Sequence, residues 1–136
     1  MSYQRYKGKS KYHFRYYRKT KYHPFLVVLV TNENRNGSNV KISGFNMTSS
    51  ALKFLERPSR FIKLDKNPNP ETDAESYVSI DYIENQPAKW FTRPIRRWEL
   101  SKEDEEKINK LLEKKKKWLI ESSFHKRSLI LIEYGY

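Results

Sequence analysis

The first 22 residues carry eight cationic side chains, no acidic one, and no isoleucine, leucine or valine. This restricts the fold more than any other feature of the chain, because a segment without aliphatic residues has little from which to build a core. The expectation is an arm over residues 1–22, disordered when free, followed by one domain over residues 23–136. A length of 136 residues suits one domain and leaves no room for two separate cores.

The arm also concentrates the charge. The whole chain has a formal net charge of +12, yet beyond residue 22 it holds 20 basic and 16 acidic groups. Tyr3, Tyr6, Tyr12, Phe14, Tyr16, Tyr17 and Tyr22 are interleaved with the arm's cations. Lysine and arginine neutralise phosphates and release counterions, while tyrosine rings stack on unpaired bases. The candidate nucleic-acid contacts of the arm are Arg5, Lys7, Lys9, Lys11, Tyr12, Arg15, Tyr16, Tyr17, Arg18, Lys19 and Lys21. RNA is the first expectation, although composition does not separate RNA from DNA. A merely solubilising tail is the competing reading.

Several classes are disfavoured by composition. The chain has no cysteine, which removes disulfides, thiol catalysis and thiolate metal sites. Its three histidines, His13, His23 and His125, are too few for a histidine-rich metal centre. Four glycines leave no phosphate-cradling loop. No metal or cofactor is expected. The longest apolar run, residues 25–30, is far short of the ~20 residues that span a bilayer. No apolar stretch of secretory length follows the basic N-terminus, so the expected compartment is the cytoplasm, away from the membrane.

From His23 the pattern changes. Residues 23–31 form a near-continuous apolar run that predicts a buried strand. Asn36-Gly37 marks a turn, and residues 40–47 alternate as a second strand that bends at Gly44, completing a hairpin. Residues 48–50 are suited to cap a short helix over 51–55 that Pro58 ends. Strands are expected at 60–64 and 77–83, with a polar loop at 67–75 between them. Gln86-Pro87 then interrupts, and residues 89–98 read as one more strand, which Pro94 places on an edge or at a bulge. Ser101 and Asp104 resemble a capping box at the start of a long helix over 101–120. Acids fill that helix's first turn and lysines its last, as the helix dipole favours. Residues 129–132 predict a final short strand. The fold class is therefore mainly β (α+β): a small β-barrel with one long C-terminal helix and a final short strand.

The order of these segments resembles the MazF/PemK family of toxins over roughly residues 22–120. The shared features are an X-Pro start into Leu-Val-Val-Leu, a second strand ending in Met-Thr-Ser, a later Ser-Tyr-Val-Ser-Ile-Asp-Tyr-Ile, and a closing Leu-Ser-Lys-Glu-Asp helix. The resemblance implies an SH3-like barrel, a homodimer, and an acidic protein partner such as an antitoxin. It also implies metal-independent endoribonuclease chemistry, in which a 2′-hydroxyl attacks the adjacent phosphate. By position His23 stands where the family has arginine, Thr48 stands at the family's Ser/Thr, and Asp81 matches a structural acid. The catalytic candidates are therefore His23 and Thr48. Histidine transfers protons near neutral pH but supplies no permanent bidentate clamp. Arg96 and Arg97 are candidates for that clamp and for nucleic-acid contact. The arm and the last strand have no counterpart in the family's usual chain.

Binding with cleavage and binding without it both remain open at this point. A third reading is a non-catalytic phage or mobile-element protein that binds a nucleoprotein complex. The basic, tyrosine-rich arm resembles that of some anti-CRISPR inhibitors.

Overall fold

The computed structural model describes residues 11–32 and 40–115. Strands β1 (His13–Tyr17), β2 (His23–Asn32) and β3 (Val40–Thr48) are followed by the short helix α1 (Ala51–Glu56). Strands β4 (Phe61–Lys63), β5 (Tyr77–Ser79) and β6 (Glu84–Pro87) precede helix α2 (Lys102–Lys114). All pairings are antiparallel, in the order β1-β2-β3-β5-β4, with β6 also beside β3. The protein is thus a small antiparallel, sheet-rich α+β fold with two helices among the described residues. No described helix is long and apolar enough to cross a membrane.

The apolar run of β2 is continuous because both faces of the sheet are covered. Leu26 and Val28 join one core with Phe14, Phe45, Met47, Val78, Ile108 and Leu111. Phe25 and Val27 join a second with Tyr17, Ile42 and Phe91. β2 and β3 are in register from Phe25↔Asn46 to Val27↔Gly44, after which the ladder shifts by a bulge between Val27 and Leu29. At Gly44 the strands approach too closely for a side chain, since a Cβ there would lie 1.9 Å from the Leu26 carbonyl oxygen.

The expected arm meets a different outcome from residue 11 onward. Residues 13–17 form β1, paired with β2 from His13↔Val27 to Tyr17↔His23. Tyr12 and Tyr17 are buried and Phe14 is fully buried. Aromatic rings supply here the apolar area that aliphatic residues usually give, each burying about 150–250 Å². The outer edge of β1 is also covered: Thr92 N–H donates to Tyr16 O at 3.0 Å and Ile95 N–H to Phe14 O at 2.7 Å. Residues 1–10, with Arg5, Lys7 and Lys9, lie outside the described residues.

Three further expectations change. Residues 89–98 are not a strand: a 3-10 turn at Ala88–Trp90 leads to one bridge, Phe91↔Tyr17. Pro94 has no N–H to extend that pairing. The strand expected over 77–83 stops at Ser79, and Asp81 lies beyond it, paired with Arg60 at 3.5 Å. Gln86-Pro87 ends β6 rather than interrupting a strand. No ladder joins β4 to β1 among the described residues, so the sheet is open where a closed barrel was expected. The final strand at 129–132 and the helix beyond residue 115 lie outside the described residues.

Both helix starts follow the sequence. Ser50 Oγ accepts from Lys53 N–H at 3.3 Å, and Ser101 Oγ accepts from Asp104 N–H at 3.1 Å. The Asp104 carboxylate turns elsewhere. It is fully buried and accepts from the amides of Asp65 at 2.8 Å and Lys66 at 3.1 Å. Lys107 Nζ lies 3.5 Å from it and 2.7 Å from Asp65. Asp104→Asn presents an amide group where two N–H donors converge and removes the charge. Urea unfolding is expected to show a loss of about 2–4 kcal/mol. An unchanged midpoint would refute this role for Asp104.

Candidate nucleic-acid interface

A cleft of about 370 Å³ opens where β2 begins and β3 ends. Tyr22, His23 and Pro24 form one wall and Met47, Thr48 and Ser49 another. The loop from Asn67 to Ser76 and the Trp98 ring complete it. Extending the β2–β3 register two residues past Phe25↔Asn46 sets His23 opposite Thr48. The two catalytic candidates therefore share this cleft. His23 is exposed, and Thr48 Oγ1 accepts from Ser50 N–H at 3.1 Å as α1 begins.

Tyr22 owes its position to a strained turn. Lys21 and Tyr22 have φ of 57° and 62°, the left-handed region that costs an L-residue roughly 1–2 kcal/mol. Backbone bonds hold the turn: Lys21 N–H donates to Arg18 O at 3.2 Å and Tyr22 N–H to Tyr17 O at 3.0 Å. Thr20 Oγ1 adds a bond to Tyr17 O at 3.1 Å. Tyr22 is 53% exposed at the end of this turn. Arg18 donates to its hydroxyl at 3.1 Å. Trp98, which also lines the cleft, is half-buried against Phe14 and Tyr16, with ring centroids 5.6 and 5.9 Å away.

Asn67 organises the polar wall. Its Oδ1 accepts from Asn69 N–H at 3.0 Å and from Ser76 Oγ at 2.9 Å. Its Nδ2 donates to the carbonyls of Thr72 and Ala74. Glu75 accepts from Tyr77 OH at 2.6 Å and pairs with Lys63 at 2.9 Å. The Tyr77 hydroxyl, followed by Lys63, lowers the Glu75 pKa below its ordinary value.

Charge is segregated. Among the described residues no lysine or arginine lines the cleft. The cations stand beside it on the turn at Arg18–Thr20 and at Lys21, all exposed. Lys19 Nζ sits 3.9 Å over the Trp90 ring and the Arg18 guanidinium 5.7 Å over Tyr22. Neither these two nor Lys21 pairs with a carboxylate among the described residues. Their charge stays available to a polyanion. Glu75 is the one acidic residue lining the cleft among those described, and it is paired with Lys63, so the cleft suits a flat, hydrogen-bonding group rather than a phosphate.

The other expected contacts divide. Tyr12 is buried and its hydroxyl donates to Asn109 Oδ1, so it offers no stacking face. Tyr17 is buried and stacked on Phe91, with centroids 4.5 Å apart. Tyr16 lies edge-on to Trp98. Lys11 sits beside the Tyr12 ring, and its amide donates to Glu105. Arg97 pairs with Glu71, and Arg96 is exposed but engaged. Arg15 is half-buried between His13 and the Thr92 carbonyl. Sequence reasoning did not select Tyr22 and Trp98 as site residues. The visible signal was a tyrosine immediately before an X-Pro strand start.

His13 Nε2 accepts from Arg15 Nε–H at 3.0 Å, so its imidazole is neutral. Burial, then the Arg15 charge, lowers its pKa from 6.5 to about 3. Between these values the unfolded chain binds a proton that the folded chain refuses. This stability is therefore complete above about pH 6.5 and is lost as pH falls toward 3, by at most ~1.4 kcal/mol per pH unit. Thermal unfolding between pH 4 and 7 should show this slope, and His13→Gln should flatten it. A slope retained in His13→Gln would assign it to other groups. Comparisons with protein-family models, with curated proteins and with solved structures find no match for this chain.

Proposed function

We propose that the protein binds single-stranded nucleic acid, RNA before DNA. Phosphates follow the basic turn at 18–21 and an unpaired base enters the neighbouring cleft. One observation carries this reading: exposed cations that pair with no carboxylate among the described residues adjoin a cleft lined by the aromatic residues Tyr22 and Trp98. Backbone charge and base stacking are the two contributions that single-strand binders combine. The Thr48, Ser49 and Ser76 side chains lining the cleft offer hydroxyl partners to a 2′-hydroxyl, which favours RNA.

Cleavage is the second reading, favoured by the placement of His23 and Thr48 in one cleft. Following the MazF/PemK resemblance, with its SH3-like barrel and dimer, His23 takes the 2′-hydroxyl proton. The 2′-oxygen bonds to phosphorus as the bond to the 5′-oxygen breaks, and the leaving oxygen gains a proton. Thr48 positions the phosphate. No lysine or arginine lines the cleft among the described residues, which places binding ahead of cleavage, since phosphate chemistry depends on charge stabilisation.

The test is fluorescence anisotropy on labelled single-stranded RNA of mixed sequence in EDTA. The full chain should bind with an affinity that falls as salt rises. Tyr22→Gly should weaken binding by about 1–3 kcal/mol, the size of one base stack. It should leave stability unchanged or raise it by up to ~1 kcal/mol, because glycine accepts the left-handed backbone. No binding at low salt would overturn the reading, as would a Tyr22→Gly variant that binds unchanged. The same samples, resolved by length, test cleavage: products with 2′,3′-cyclic phosphate ends, lost in Thr48→Ala while binding persists, would establish it. A chain inert toward RNA would redirect the search to a nucleoprotein partner.

A further inference from the structure

Arg15 lies outside the cleft, on the sheet face shared by His13 and Tyr17 and opposite Phe25 of β2. It is half-buried, yet both of its partners are neutral. Nε donates to His13 Nε2 at 3.0 Å and Nη1 to the Thr92 carbonyl at 3.2 Å. No carboxylate pairs with it among the described residues. Loss of water lowers the guanidinium's pKa from its ordinary value, and no acid counters that effect. A cation taken out of water without an anion costs free energy that two neutral bonds offset only in part.

Two of the five guanidinium donors are used, which leaves three for an incoming group. The His13 and Thr92 bonds hold the side chain in one orientation, so little rotamer freedom remains to be lost on binding. Arg93 follows the anchoring Thr92 carbonyl, exposed and without an ion pair among the described residues. Arg15 precedes Arg18 by three residues, about 10 Å along an extended backbone. One strand of nucleic acid can touch both.

We propose that Arg15, its guanidinium fork fixed by His13 and the Thr92 carbonyl, is a phosphodiester seat that extends the nucleic-acid path from the basic turn along β1 toward Arg93. This rests on the single-strand binding reading and adds a phosphate contact on a second part of the surface. Phosphate oxygens take the fork in a bidentate manner that lysine cannot reproduce.

The experiment measures RNA affinity across a salt series for the full chain, Arg15→Gln and Arg15→Lys, with near-UV circular dichroism to confirm folding. Arg15→Gln should bind about tenfold more weakly, and its slope of log K against log salt should be shallower by about 0.7, the value of one single-strand phosphate contact. Arg15→Lys should lose affinity and keep the slope. In the unaltered chain, the Arg15 Nε resonance should shift on adding RNA and stay in place with inorganic phosphate at matched ionic strength. That measurement decides the matter if the variants unfold. If the full chain binds RNA while Arg15→Gln keeps both affinity and slope, or while the Nε resonance is unmoved, the seat alone is overturned. A shift with inorganic phosphate but not RNA also overturns it. If the full chain binds no RNA, the binding reading falls and the seat with it.

Discussion

The buried carboxylate of Asp104 joins the parts of this protein that chain order keeps apart. It lies in the first turn of α2, where the helix dipole and the Ser101 cap favour negative charge. It also accepts the amides of Asp65 and Lys66 at the start of the loop between β4 and β5. A charge taken this far from water is tolerated only when its oxygens are satisfied, and here two backbone donors and the Lys107 ammonium satisfy them. The hydrogen bond to Asp65 is the main reason the Lys107 pKa lies above its ordinary value. The same loop goes on to form the Asn67–Ser76 wall of the cleft. One side chain therefore ties the start of the helix to the loop that leads into the cleft wall.

The second constraint is that both faces of the sheet are covered. After β6, on one side of β3, the chain crosses the sheet through Ala88–Trp90 to reach the outer edge of β1. Phe91 lands on Tyr17 and Phe25, forming a three-ring cluster with centroids 4.5–5.5 Å apart. That crossing explains why β1 is a strand at all. Without cover on one face and a partner on its outer edge, residues 13–17 would expose rings and unpaired amides.

Local signals were legible where local physics decides the outcome. The apolar run of β2, its hairpin with β3, and the Ser50 and Ser101 caps all depend on neighbours within a few residues. β1 was not legible from aliphatic content, because its apolar area comes from Phe14, Tyr12 and Tyr17, and its partners at 91–95 lie about 80 residues away. The Asp104 capping box was only half legible. The serine cap forms, but the carboxylate serves a loop nearly forty positions earlier, a choice set by tertiary packing. His23 and Thr48 came from the family resemblance, and they share one cleft. Tyr22 and Trp98 escaped notice because their use as cleft walls depends on a left-handed turn and on packing against β1.

The left-handed turn ties this geometry to the proposed chemistry. Lys21 and Tyr22 are the only non-glycine positions of positive φ among the described residues, and they adjoin each other at the mouth of the cleft. Residues 18–22 close the β1–β2 hairpin between the paired Tyr17 and His23, and the left-handed pair completes that reversal. The turn leaves Tyr22 exposed beside Arg18, and the cations of 18–21 pair with no carboxylate among the described residues. Tyr12 and Tyr17, from the same aromatic segment, were drawn into the core. The segment thus divides its rings between folding and surface, with Tyr22 exposed in the left-handed turn. A tyrosine held in a fixed backbone conformation beside exposed cations suits the base-stacking position proposed above.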